Sequence, residues 1–198
     1  LLVRVRRLFD LGADPALIDE QLGRDPLLKA LVRRRPGLRV PGAFDEFELA
    51  VRAILGQQIS VKAASTMAGR LVSRSGGIEP ALLRDAPFEE AGLIASRAEA
   101  IRELARQGMD RMADIRGIGP WTLEYFRMRA SGEPDAFPAG DLILQRAAGV
   151  ASARELEQKS ESWRPWRAYA AIHLWQGVKD NASIHHHREP RRAAVAVR

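Results

Sequence analysis

Apolar residues recur at the three- and four-residue spacing of amphipathic helices over several stretches of the chain. One stripe begins near Ala43 and consists of Phe44, Phe47, Val51, Ile54 and Leu55. A second predicts a helix over about 91–107 and consists of Leu93, Ile94, Ala98, Ile101 and Leu104. A helix that packs one face against a core needs a stripe of this kind. The pattern therefore predicts an all-α fold.

Capping residues and prolines indicate where several helices begin. Asp14-Pro15 and Asp25-Pro26 each place a capping carboxylate before a proline at the first helical position. The segment 56–60 interrupts the helical pattern, and Ser60 is suited to cap the helix that follows. The last strongly patterned helix is predicted over 165–176.

A two-glycine turn, Arg116-Gly117-Ile118-Gly119-Pro120, precedes a segment of helical composition over 121–130. Glycines leave the main chain accessible to another surface, and Pro120 suits the first position of a helix. Unpaired N–H groups and the positive end of a helix dipole together bind an anion without reading a base. The alternative interpretation is a tight turn between two packed helices.

Two aromatic residues and one carboxylate follow this turn. Trp121 and Tyr125 are four residues apart and share one face of the predicted helix. Such pairs are commonly core residues, but the place of Trp121 directly after the turn favours contact with a ligand. Asp141 follows the connection 137–140 and precedes a helical segment. N-capping alone explains an Asp there, and a carboxylate at that point also faces outward from the turn.

Composition narrows the class of partner. The 198-residue chain carries a net charge of +6 and has a pI near 10.4, which favours a polyanionic partner. Its hydrophobic content of 46% is ordinary for a globular protein, and no apolar run approaches the ~18 residues of a membrane span. The absence of cysteine excludes disulfides, thiolate zinc sites and iron–sulfur clusters. His173 lacks a second ligand at metal-binding spacing, and we predict neither metal nor cofactor.

Taken together, these motifs resemble a known family. The order of GIGPW at 117–121, Tyr125 and FPAGDL at 137–142 is similar to that in the helix-hairpin-helix DNA glycosylases, and within them to the 3-methyladenine DNA glycosylase II branch. Three further segments support the resemblance: RLFDLGADP at 7–15, AVRAILGQQISVKAASTMAGRLV at 50–72 and ESWRPWRAYAAIHLW at 161–175. Each motif is weak alone, but their combination over roughly residues 1–178 is highly specific.

The resemblance implies a two-lobed helical bundle with the active-site cleft between the lobes. We expect a helix-hairpin-helix lobe over 44–130 and a second lobe formed by 1–43 and 131–178. Residues 179–198, which include His185-His186-His187, are expected to be a disordered basic tail. The N-terminal β-rich lobe of these glycosylases is expected to be absent, and because the chain opens on Leu1 we expect a fragment.

The resemblance also implies a role for individual residues. Asp141 corresponds to the catalytic acid, and three aromatic residues correspond to the base pocket: Trp121, Tyr125 and Trp175, the last of which is alternatively a core residue. DNA-binding positions correspond to Gln57, Gln58, Gly117, Gly119 and Thr122. Gln58 occupies the place of the side chain that fills the gap left by an extruded base, where close relatives often carry an apolar wedge.

These roles fit the chemistry of base excision. A base must leave the stack before its glycosidic bond can be reached, and an aromatic pocket favours cationic alkylated purines. Asp141 would stabilise the positive charge that develops on the sugar and orient water. Bifunctional relatives carry a lysine where this chain has Trp121, so no strand cleavage is expected. We predict a monomeric, monofunctional glycosylase of the bacterial cytoplasm, associated with the nucleoid, acting on double-stranded DNA with alkylated bases such as 3-methyladenine.

One structural alternative and one functional alternative stay open. Only residues 108–114 are available for the first helix of the hairpin pair, so either 109–115 forms a short turn or the hairpin is altered. A non-catalytic helix-hairpin-helix DNA-binding module would keep the turn without turnover. A plain helical interaction domain explains neither the turn nor the basic charge well.

Overall fold

The computed structural model describes residues 1–188, with side chains described as far as Asp180. In that part of the chain all regular structure is helical, which confirms the predicted all-α class. The helices are α1 (Leu2–Leu8), α2 (Pro15–Leu22), α3 (Lys29–Arg34), α4 (Glu46–Gly56), α5 (Val61–Ser75), α6 (Pro80–Leu83), α7 (Ala95–Gln107), α8 (Pro120–Phe126), α9 (Leu142–Ala148), α10 (Ala153–Ser160) and α11 (Arg167–Arg188). Short 3-10 turns cover Met109–Asp114 and Glu161–Trp163, and a π-helical turn, Arg127–Ser131, continues α8. No described helix is both long and apolar enough to cross a bilayer.

Two clusters of buried apolar side chains form two lobes. The first cluster unites α4, α5, α7 and the glycine turn, and the second unites α2, α3, α9, α10 and α11. Helix α8 contributes to both, because Leu123 and Phe126 pack against the first cluster and Tyr125 against the second. Met128, which the predicted boundary at 130 assigns to the first lobe, is buried in the second cluster. The residues after the glycine turn therefore lie at the junction of the lobes.

Side-chain caps begin several of the described helices, among them two that the sequence predicts. Asp14 accepts from the backbone N–H groups of residues 16 and 17, and Ser60 accepts from that of residue 63. Two expectations need correction. Asp25 caps a turn, but regular helix begins only at Lys29. Phe44 lies before α4 with 51% of its surface exposed, and its ring contacts Arg4 instead of the core.

The N-terminal helix lies against the loop before α4 without burying any of its own residues. Arg7 forms an ion pair with Glu46 at 2.5 Å, and the N–H of Gly42 donates to the carbonyl of Leu8 at 2.9 Å. A Cβ at residue 42 would overlap the carbonyl oxygen of Arg7, so this approach requires glycine. Polar and backbone contacts therefore hold α1 in place.

The C-terminal helix is longer than expected. The tail was predicted from residue 179, whereas α11 continues to Arg188. Asp180 explains part of the extension, because its carboxylate pairs with Arg35 at 2.5 Å and with Arg34 at 3.7 Å and so docks the helix on α3. The remainder of the predicted tail, 189–198, lies outside the described residues.

Candidate active site

The glycine turn is a compact corner between the two lobes. Gly117 adopts φ +91°, in the left-handed region that favours glycine, whereas Gly119 is extended at φ −91°. The N–H of Ile118 donates to the carbonyl of Ile115 at 3.1 Å, and both isoleucines are buried in the first cluster. The preceding segment is the 3-10 turn Met109–Asp114, so the short-turn alternative holds. Burial of the isoleucines leaves Gly117 exposed at the tip.

One glutamine connects this turn to the loop between α4 and α5. The side-chain amide of Gln57 donates to the carbonyl of Gly117 and to the hydroxyl of Thr122, both at 2.9 Å. Thr122 is only 1% exposed, so its hydroxyl faces Gln57 and not the surface. The structure thus directs the Gln57 amide and the Thr122 hydroxyl toward each other and toward the glycine turn.

The next residue, Gln58, points away from the protein. It is exposed and adopts φ +58°, a left-handed conformation that costs a side-chain-bearing residue roughly 1–2 kcal/mol. The guanidinium of Arg97 donates to the carbonyl of Gln57, and Ser60 caps α5 directly after the loop. Contacts on both sides therefore fix the backbone that projects Gln58.

Asp141 is both a helix cap and a neighbour of the aromatic residues. One carboxylate oxygen, Oδ1, accepts from the N–H groups of Ile143 and Leu144 at 2.9 and 2.8 Å. The indole Nε1–H of Trp175 donates to the same oxygen at 3.2 Å. The indole Nε1–H of Trp121 donates to the other oxygen, Oδ2, also at 3.2 Å. The capping interpretation and the ligand-facing interpretation are therefore compatible in one side chain.

Three aromatic rings lie beside this carboxylate. Trp121 and Tyr125 are stacked, with ring centroids 5.4 Å apart and planes 13° from parallel. Tyr125 meets Trp175 edge-on at 6.3 Å. All three side chains are half-buried, as is Asp141. The structure thus brings together the four residues that the sequence assigned to the base pocket and the acid.

Sequence reasoning missed one residue of this group. The guanidinium of Arg129 lies 5.5 Å from the centroid of the Tyr125 ring and donates to the Tyr125 hydroxyl at 2.9 Å. It also donates to the carbonyl of Pro41. The signal was available, because residues 121, 125 and 129 continue one stripe at four-residue spacing.

A cavity of about 240 Å³ is lined by Arg129 and Tyr169, among other residues. The Tyr169 hydroxyl donates to Asp10 at 2.8 Å, and burial together with this hydrogen bond raises the pKa of the phenol. Among the described side chains no cluster of three or more His, Cys, Asp or Glu residues is placed to hold a metal. His173 is a packed residue of the second lobe, and burial lowers its pKa.

Comparison with known proteins places this geometry in a family. Residues 51–165 match a family described as "HhH-GPD superfamily base excision DNA repair protein", and residues 1–45 match the "AlkA N-terminal domain". The second match bears on the expected absence of the N-terminal β-rich lobe. Sequence typical of that N-terminal domain is present, although the described residues in this region form helices.

Individual relatives agree with the family match. The chain is 42% identical to a "Probable bifunctional transcriptional activator/DNA repair enzyme AlkA" of Mycobacterium tuberculosis, over 87% of this chain and 41% of that protein. It is 34% identical to "DNA-3-methyladenine glycosylase 2" of Escherichia coli, over 88% of this chain and 70% of that one. The structure of the Schizosaccharomyces pombe 3-methyladenine DNA glycosylase in complex with abasic DNA is similar with a TM-score of 0.72 at 26% identity, covering 82% and 96% of the two chains. This chain spans about two-fifths of the length of the mycobacterial relative.

Proposed function

The chain belongs to the HhH-GPD superfamily of base excision DNA repair proteins, and from that premise we propose that it is a monofunctional DNA glycosylase that excises alkylated bases such as 3-methyladenine. The observation that carries the proposal is the arrangement of Asp141, whose two carboxylate oxygens each accept a hydrogen bond from an indole of the aromatic group. A carboxylate fixed beside aromatic rings suits the removal of a base that stacks on those rings.

The reaction follows from what each group can do. After the base leaves the duplex, Trp121 and Trp175 offer ring surface to it. Cleavage of the N-glycosidic bond develops positive charge on the sugar, and the negative charge of Asp141 stabilises this charge and orients the attacking water. Its donors already hold the carboxylate in place, so little reorganisation is needed during the reaction.

The DNA contacts are proposed at the two exposed points beside this site. The backbone at Gly117 and Gly119 would hold a phosphate next to the lesion, and Gln58 would fill the space that the extruded base leaves. Gln57 and Thr122 would support these contacts from behind by fixing the turn to the loop. The same proposal includes that the protein binds duplex DNA as a monomer, in the bacterial cytoplasm and in association with the nucleoid.

The test is excision of 3-methyladenine from alkylated duplex DNA by the protein and by Asp141→Asn. Asparagine keeps the N-cap but removes the charge, and we expect the excision rate to fall on the order of 10²–10³-fold while duplex binding is retained. Asp45→Asn is the matched control, because Asp45 caps α4 in the same way through a hydrogen bond of 2.8 Å to the N–H of Glu48. It should leave the rate unchanged.

Two results would contradict the proposal. Excision that survives Asp141→Asn at full rate would remove the catalytic role of this acid. Duplex binding without any excision by the intact protein would favour the non-catalytic DNA-binding module. The monofunctional assignment has its own readout, because strand breaks should appear only after alkali treatment of the abasic product.

A further inference from the structure

A three-residue column runs from the glycine turn into the second lobe. Trp121, Tyr125 and Arg129 are spaced at four-residue intervals, and the first two are stacked at 5.4 Å. The guanidinium of Arg129 lies 5.5 Å from the centroid of the Tyr125 ring. Trp121 comes one turn before Tyr125 and Arg129 one turn after it, and both side chains contact the phenol ring. These contacts occupy part of the Tyr125 ring surface that an extruded base would otherwise use.

Tyr125 makes two further contacts. Trp175 meets the ring edge-on at 6.3 Å, and the hydroxyl accepts a hydrogen bond from Arg129 at 2.9 Å. An extruded base is left with the outer surface of Trp121 and with Trp175. Tyr125 then lies between the two indole rings and the guanidinium of Arg129.

The charge of Arg129 is not neutralised by a hydrogen-bonded carboxylate in the part of the chain that the structure describes. Its described hydrogen-bond acceptors are the carbonyl of Pro41 and the hydroxyl of Tyr125, and both are uncharged. Glu133 lines the same cavity as Arg129, but its carboxylate pairs with Arg127 at 2.6 Å. A half-buried, unneutralised cation thus lies at the inner end of the aromatic column.

On the basis of the proposed glycosylase function, we propose that Arg129 is a specificity-determining residue that weakens the preference of the site for cationic bases relative to neutral ones. Aromatic rings attract a cation through their electron-rich faces. Arg129 already interacts in this way with the Tyr125 ring. Its positive charge repels a second cation placed further along the column. A neutral lesion such as hypoxanthine does not experience this repulsion.

The test compares two substrates in one duplex sequence, one carrying 7-methylguanine, which is cationic, and one carrying hypoxanthine, which is neutral. Single-turnover excision rates are measured for the intact protein, Arg129→Gln and Arg129→Lys. In Arg129→Gln the ratio of the cationic to the neutral rate should rise by about threefold to tenfold, because a half-buried charge acting across rings is only partly screened. Arg129→Lys keeps the charge and should keep the ratio.

Arg127→Gln is the matched control. It removes the same unit of charge from the same π-helical turn, but Arg127 is exposed and paired with Glu124 at 2.8 Å and with Glu133. The ratio should not change in this variant. A general effect of net charge would move it in both glutamine variants and would overturn the proposal.

A purely structural role for Arg129 has a different signature. It would lower both rates by the same factor and leave their ratio unaltered, which would also overturn the proposal. Failure of the glycosylase function itself is distinguishable, because the intact protein would then release neither base. Circular dichroism of each variant establishes that the rates are compared between folded proteins.

Discussion

Helix α11 carries Trp175 and His173, which face two different carboxylates on opposite sides of the helix. The surroundings of these two carboxylates differ. Trp175 donates to Asp141, which also accepts from Trp121 and from two backbone N–H groups. Two residues earlier, His173 faces Asp19 of α2 at 4.0 Å, too far for a hydrogen bond. Asp19 accepts from the N–H of Gly37 through Oδ2, but its Oδ1 and both ring nitrogens of His173 have no described partner.

The difference separates a carboxylate held in one orientation, as its proposed catalytic role requires, from a buried polar pair that the fold tolerates. Donors from three separate segments fix Asp141, so its orientation does not depend on solvent. Asp19 and His173 are buried polar groups whose hydrogen-bonding capacity is only partly used, and each unsatisfied atom costs free energy on folding. One helix thus supports an organised carboxylate on one side and an unsatisfied pair on the other.

The largest expected effect comes from removing the indole donors while keeping an aromatic ring. Trp175→Phe and Trp121→Phe each delete one hydrogen bond to the charged carboxylate, worth about 1.5–3 kcal/mol. We expect the single-turnover excision rate to fall about tenfold to a hundredfold in each variant. Trp166→Phe is the control, because its indole donates to Gln21 at 3.1 Å, outside the site. Rates that match the unchanged protein would show that Asp141 needs no indole donors.

The next effect concerns stability against pH on the other side of α11. Burial lowers the pKa of His173, so the unfolded chain binds a proton that the folded protein rejects. The stability contributed by neutral His173 is present above the unfolded value near 6.5 and is lost as the pH falls below it, by at most about 1.4 kcal/mol per pH unit.

Urea unfolding between pH 7.5 and 5.5 measures this loss. His173→Gln cannot take up the proton, so the slope of unfolding free energy against pH should be shallower than in the parent. The comparison uses slopes, because the substitution itself shifts stability at every pH. Equal slopes would mean that His173 titrates alike in the folded and unfolded chains.

The smallest effect should be a gain in stability. In Asp19→Asn the side-chain oxygen can still accept from Gly37, and the new amide can donate toward the unpaired Nε2 of His173. Satisfying these atoms should stabilise the protein by about 0.5–1 kcal/mol at pH 7.5, seen as a higher urea midpoint. Asp14→Asn, a change at an exposed cap, serves as the control. A clear loss of stability would indicate that the charge of Asp19 supports the fold.

The sequence was most informative where a local rule determines the structure. Asp14, Ser60 and Pro120 lie where helices begin, because capping and the geometry of proline depend on adjacent residues. The N-cap role of Asp141 could be predicted from its position before α9. Phe44 was misassigned because an apolar residue at helical spacing does not reveal whether the helix has already begun.

Contacts between distant residues could not be predicted in the same way. The links from Asp141 to Trp121 and Trp175 join residues from three separate segments, and the pair His173–Asp19 joins α11 to α2. Their geometry depends on how the two lobes pack. Arg129 was missed for a different reason. Its side chain contacts the ring of Tyr125, four residues earlier, but in the sequence it cannot be distinguished from an ordinary solvated arginine.

The two hydrogen bonds of Gln57 have a mechanical consequence. They join the loop that carries Gln58 to the turn that carries Gly117, so a shift of either segment is passed to the other. The two proposed DNA contacts, at Gln58 and at Gly117, would then adjust together instead of independently. Gln57→Ala removes both hydrogen bonds, so the proposed DNA contact of Gly117 could form without that of Gln58.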